Sequence, residues 1–179
     1  MIPKEYAGII KTWYGPDQAW DRHAAPSSKE VMMKWFKKDD VFDKELTDMF
    51  KTDIEELAKG NKEDMRKNHY GALAYFLLGD QFARNVFRNK KEAFSCAEKC
   101  ESLAKEILAD RERYDKYRNY EKTFILMAMM HAENAADIQR CKDEFEIIAK
   151  TNPDQKGFGM FVNFSQKHLD QVVQFGRYP

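Results

Sequence analysis

Glycine and proline are scarce in this sequence, eight and five residues out of 179, well below the ~12% that average usage would supply. Valine, isoleucine and threonine are few as well, at six, nine and five. So small a stock of turn-formers and strand-formers excludes a sheet-rich fold and favours long helices. Cysteine occurs three times, as Cys96, Cys100 and Cys141. That number is too small and too odd for a secreted disulfide framework, and it points to a reducing, intracellular compartment, the cytoplasm or a mitochondrial matrix. No apolar run exceeds seven residues, as in Phe124 to Met130, against the ~18 that a membrane span needs. The opening Met1-Ile2-Pro3-Lys4-Glu5 lacks a basic region followed by an apolar core, so no secretory signal is expected. Excess charge is also missing, with 30 basic and 30 acidic residues. A neutral chain is a poor general binder of nucleic acid, and the local basic run Arg84, Arg88, Lys90 and Lys91 is flanked by Asp80 and Glu92.

What the chain does have is 43% hydrophobic and 34% charged residues, enough to build a core and to exclude disorder of the bulk. Helical spacing of apolar positions predicts a helix over 4–14 with Ile9, Ile10 and Trp13. Gly15-Pro16-Asp17 breaks it, and a loop is expected through Trp20 and His23 to Pro26. Ser27 or Ser28 can cap a helix with Val31, Met32, Trp35 and Phe36. Asp39 or Asp40 can cap the next, where Phe42, Leu46, Met49, Phe50, Ile54 and Leu57 keep a helical rhythm as far as Gly60. After a polar stretch, helices are expected over Tyr70 to about Phe87 and over Lys91 to Ala109, the second burying Phe94. A connector, Asp110 to Arg118, leads to the helix of Phe124 to Met130. His131 to Asn134 reads as a junction in which Glu133 favours the start of a helix over 135–150. A final helix carries Phe161, Phe164, His168, Val172 and Phe175. These eight or so helices form an all-α, TPR-like stack of antiparallel helical hairpins, at ~34 residues per pair and without strict repeats. The expected organisation is one domain over 1–179, with N-terminal helices in 1–60 and a core in 61–179.

The densest polar constellation lies between Gly79 and Asn89. Asp80, Arg84 and Arg88 are spaced at i, i+4 and i+8 and share one side of a helix. Two arginines one turn apart can hold a phosphate or carboxylate, but the favoured reading is an Asp80–Arg84 ion pair beside an arginine that braces a neighbouring helix. His131 and Glu133 do not share a helical face, and His168 could be a third ligand brought from the last helix, but nothing in the sequence demonstrates that meeting, so no metal is expected. Cys96 and Cys100 read as buried small hydrophobes. No phosphate loop, nucleophile elbow or zinc-protease motif is present, and no cofactor is expected.

The segment Leu77-Leu78-Gly79-Asp80-Gln81-Phe82-Ala83-Arg84-Asn85-Val86-Phe87-Arg88, followed by Ala93-Phe94, resembles the signature of the domain-of-unknown-function 924 family. Trp35-Phe36 with Phe42-Asp43, His131-Ala132-Glu133, and the ending from His168 through Phe175-Gly176-Arg177-Tyr178-Pro179 extend the resemblance over nearly the whole chain. It implies a TPR-like helical protein with no established reaction. It also implies that Asp80, Gln81, Arg84, Asn85, Arg88, His131, Glu133, His168 and Arg177 form one polar pocket. The chain departs from the pattern at Ala83 (usually proline), Gly79 (leucine) and Ala132 (serine). It departs again at Cys96 or Ala97, where an aspartate is expected, and it stops at Pro179 where the family continues. An eroded motif of this kind harms a scaffold less than an active site.

The leading expectation is therefore a non-enzymatic helical protein-protein interaction domain, an accessory subunit of a larger assembly, with a protein as its partner. The alternative is an enzyme or binder for a small anionic or phosphorylated ligand. In that case Arg84 and Arg88 hold the anion, while His131 or His168 acts as general acid or base, oriented by Glu133 or Asp80.

Overall fold

The structure, a computed structural model, describes residues 2–15, 34–155 and 157–178. Among these there are helices and no strand, the all-α class that the shortage of strand-formers favours. The loop expected through Trp20 and His23, and the helix start expected at Ser27 or Ser28, lie outside the described residues. The chain divides into two compact units, 1–103 and 104–179.

In the first unit, α1 (Lys4–Tyr14) buries Ile9, Ile10, Trp13 and Tyr14 and ends at Gly15, whose φ of +86° suits glycine. Trp35 stacks on Trp13, with ring centroids 6.1 Å apart, and donates its indole N–H to the Trp13 carbonyl at 3.1 Å. The second helix, α2 (Asp40–Ala58), starts where the Asp39 carboxylate accepts from the Val41 and Phe42 amides. It buries Phe42, Leu46, Phe50, Ile54 and Leu57, the expected stripe with one correction. Met49 is half-exposed, at 51%, on the flank of that stripe.

A 3₁₀ turn, Glu63–Lys67, leads to Asn68, whose side chain caps the three-part helix α3 (His69–Val86) by accepting from the Tyr70 and Gly71 amides. The helix expected over Tyr70 to Phe87 has three parts. It is α-helical over His69–Phe76, widens to a π-helix over Leu77–Phe82, and closes as Ala83–Val86. The Ala83 amide reaches back five residues to the Leu78 carbonyl, the spacing that defines a π turn. Residues 71–83 are buried on every side, because α1, α2 and the flanking 3₁₀ turns all pack against this segment. A helix covered all round needs no polar stripe, which accounts for the apolar run Ala72 to Leu78.

Gly79 is a point of close approach. A Cβ added there would lie 2.6 Å from Cys100 Sγ, 3.1 Å from Cys96 Cβ and 3.5 Å from Leu57 Cδ2. The helix expected from Lys91 to Ala109 begins as a separate 3₁₀ turn, Lys91–Phe94, and only then continues as α4 (Ala97–Ala109). That break overturns the expected burial of Phe94, which stands 58% exposed.

In the second unit, the stretch expected as a connector contains a short helix, α5 (Arg111–Asp115), capped by the Asp110 carboxylate. Helix α6 (Asn119–Met130) begins where Glu121 Oε2 accepts from the Arg118 amide at 2.7 Å. Asn134, rather than Glu133, caps α7 (Ala135–Thr151), accepting from the Ala136 and Asp137 amides. The last helix is α8 (Phe158–Phe175). Phe145 stacks on Phe161, and Cys141 Sγ meets Ser165 Oγ at 3.7 Å, so α7 and α8 run antiparallel. Tyr120 packs on Phe158 and Met130 Sδ accepts from Ser165, so α6 and α8 run parallel. The three helices thus alternate in direction, as short connections require.

Filling the space at Gly79 should be costly. Gly79→Ala is expected to destabilise the protein by about 1–3 kcal/mol, the usual cost of overpacking. Adding Cys100→Ala should recover part of that loss. Urea unfolding of the two single variants and the double variant checks this, and a Gly79→Ala protein as stable as the parent would contradict it.

Candidate functional site

Of the nine polar residues singled out above, five lie in the first unit and four in the second. In the first unit the buried carboxylate of Asp80 is the anchor. It is 2% exposed, a position that a lone charge could not hold without compensation. Gln81 donates its amide N–H to Asp80 Oδ2 at 2.5 Å, and Arg84 donates Nε–H to Oδ1 at 3.3 Å. The ion pair expected from the i, i+4 spacing is therefore formed. The Arg84 guanidinium also lies over the ring of Phe94, 5.0 Å from its centroid, a cation–π contact.

Arg88 reaches α2, where Nε and Nη2 donate to the two oxygens of Asp43 at 2.8 and 3.0 Å. This bidentate fork is the strong form of an arginine–carboxylate pair, and the hydrogen bond to Asp43 raises the Arg88 pKa further above its ordinary value. Arg88 is thus the brace between helices that the sequence reading favoured. Asn85, on the same turn, is half-buried. Cys100 lies behind this group in a fully buried position, and burial, with Asp80 adding to it, holds its thiol well above the ordinary value. All three cysteines are free and buried, as expected for small hydrophobes rather than ligands or nucleophiles.

In the second unit, His131 follows the end of α6 and His168 lies on α8, with ring centroids 6.2 Å apart. His168 Nδ1 sits 2.8 Å from the Phe164 carbonyl. A carbonyl can only accept, so the proton of that bond belongs to Nδ1. Tyr178 packs edge-on against His168 at 5.3 Å and donates its hydroxyl to the carbonyls of Met130 and Ala132. Its backbone N–H donates to Glu133 Oε1 at 3.1 Å. Glu133 therefore ties down the segment after α8 instead of supporting the start of α7, while Arg177 is exposed. Cys141, under the same helices, has its thiol pushed up to about 12 by burial. Among the described residues no three histidine, cysteine, aspartate or glutamate side chains gather as a metal-binding group.

Three features were not read from the sequence: the Asp43 partner of Arg88, the Phe94 platform under Arg84, and the tyrosine clasp on the His131 turn. Asp43 lies 45 residues from Arg88, beyond the reach of any helical spacing rule. The one usable signal was Gly79 itself, an isolated glycine inside a helical pattern, which marks a close approach.

Comparison with known proteins agrees with the fold. The family model for a bacterial protein of unknown function, DUF924, matches residues 9–179. No curated protein matches the chain. A solved structure of a protein of unknown function from Agrobacterium tumefaciens is 26% identical and has a TM-score of 0.75, covering 97% of this chain and 85% of that one.

The bidentate contact between Arg88 and Asp43 should be measurable as coupling. A double-mutant cycle with Asp43→Asn and Arg88→Gln is expected to give about 1 kcal/mol, the upper range for a well-aligned, partly exposed pair. Additive losses from the two substitutions would show that the contact does not hold the helices together.

Proposed function

We propose a role for this chain, which belongs to the DUF924 family of bacterial proteins: a non-enzymatic, TPR-like helical interaction domain that serves as an accessory subunit of a larger assembly. The observation that carries this reading is the internal compensation of the arginine constellation. Arg84 faces Asp80, and Arg88 faces Asp43. An active site on an anionic substrate keeps cations ready for charge that develops during the reaction. Here both guanidinium groups already answer carboxylates of their own unit, so their first role is to hold the fold. His168 bonds the carbonyl one helical turn before it, an ordinary structural role for a histidine on a helix.

Exposed apolar side chains support a partner-binding role. Ile147 on α7 is 52% exposed, and Val173 and Phe175, towards the opposite end of the helix pair on α8, are 69% and 56% exposed, separate apolar points that a bound partner would cover. Three buried, unpaired thiols support a reducing compartment. Among the described residues no helix is long and apolar enough to cross a membrane.

The native size of the protein in a gently lysed extract tests the reading, with co-migrating proteins identified by mass spectrometry. Migration well above 21.1 kDa in a defined complex is expected. Migration at the monomer mass, with no co-migrating protein, would contradict it and favour the alternative of a small anionic ligand.

A further inference from the structure

In the first unit, a cleft of about 320 Å³ lies where the end of α2 meets Phe87 and the residues of the Lys91–Phe94 turn. Its lining is mostly apolar, with Ala58 and Phe87 as walls and Ser95 adding a hydroxyl. Ligand cavities run from ~300 to ~1,000 Å³, so this one suits a single long side chain. The lining holds two carboxylates, Glu55 and Glu92, and one ammonium, Lys59. Lys59 is already engaged: its Nζ donates to Glu56 Oε1 at 2.8 Å, and Glu56 does not line the cleft. Among the described residues, the ion pair of Glu55 is with Lys51 at 3.9 Å, both side chains about half exposed. A pair that long and that wet contributes little. Glu92 makes no ion pair with any described residue, and Lys90 and Lys91 before it do not line the cleft. The 19-residue helix α2 ends here with no basic residue in its last turn, so the partial negative charge of its C-terminus adds to that of the carboxylates.

These charges select the sign of an occupant, and the walls select its body. An anion would be repelled by Glu55 and Glu92. A wholly apolar side chain would strip water from both carboxylates without replacing it. A lysine side chain meets both demands. Its methylene stem covers Ala58 and Phe87 while its charged end stays at the rim. The compact ammonium carries three donors, enough to answer two carboxylates and the Ser95 hydroxyl.

We propose that this cleft takes up a lysine side chain of a protein partner, its stem against Ala58 and Phe87 and its ammonium answered by Glu55 and Glu92. This rests on the reading of the chain as an interaction domain and names the chemistry of its partner.

The test uses the full chain labelled with ¹⁵N and two terminally blocked peptides, Ser-Leu-Lys-Leu-Ser and its twin with Nε-acetyl-lysine, with butylammonium as a third probe. Acetylation keeps the stem and removes the charge. Shifts of the backbone amides of Ala58, Phe87, Glu92 and Ser95 report binding. The lysine peptide is expected to bind about fivefold more tightly than its acetylated twin, the gain that two exposed ion pairs supply, and more tightly than butylammonium. Added salt should narrow the gap between the peptides. The double variant Glu55→Gln, Glu92→Gln should bind both peptides equally, with Tm unchanged because both carboxylates are exposed. Equal binding of the two peptides by the parent chain, no shift with either, or a gap that survives in the double variant would each overturn the proposal. Butylammonium bound as tightly as the lysine peptide would make the ligand a free amine and overturn it too. Incorporation of the double variant into the native complex separates the two readings. A complex that forms unchanged with it overturns this docking point and leaves the interaction role standing. The absence of any complex with the parent chain overturns that role, and this proposal with it.

Discussion

The close approach at Gly79 is the constraint on which the first unit is built. A buried segment can approach a neighbouring helix this closely only if one side lacks a Cβ and the other offers small side chains. Gly79 against Cys96 and Cys100 meets both conditions. The same contact explains why these cysteines need no redox or metal role: each fills a small space that a larger residue would overfill. Leu57 of α2 meets the same Cβ position, so one point brings together α2, the π-helical segment and α4. The extra residue of the π turn falls in this segment, and Asp80 follows Gly79 directly.

From that placement the electrostatics follow. A carboxylate buried to this extent is unfavourable unless it is paired and hydrogen-bonded, and its neighbours Gln81 and Arg84 both donate to it. Arg84 is thereby held across the surface turn of Phe94, while Arg88, one turn on, reaches Asp43 of α2. The pairs tie the polar end of α3 to the rest of the unit. In the second unit the same economy appears in a different form. Tyr178 satisfies the carbonyls at the end of α6 and engages Glu133 and His168 at once.

The fold class and most helix boundaries were legible because they depend on local rules. Asp39 as a cap and Gly60 as a stop are decided within one or two turns, and so are the buried stripes of α2 and α7. The Asp80–Arg84 pair was legible for the same reason. Errors arose where distant packing overrode local preference. Phe94 fits a buried helical position by spacing, yet the chain turns there as a 3₁₀ segment and leaves the ring outside. The π widening of α3 has no periodic signature, since every position around it is buried, the polar Asp80 and Gln81 included. Asp43 and Tyr178 are long-range partners, and one sequence carries no mark of either contact. Function was the least legible, because a helical surface does not encode which segment it accepts.

The central claim is that the π-helical segment is the fixed centre of the first unit, and amide hydrogen exchange tests it most directly. Locally weak segments exchange through small openings, whereas core segments exchange only when the whole unit unfolds. The account predicts that the amides of residues 78–83 are among the slowest in the first unit. Their exchange should respond to denaturant as global unfolding does. Rapid, denaturant-insensitive exchange at these amides would show that the segment opens on its own, and would contradict the claim.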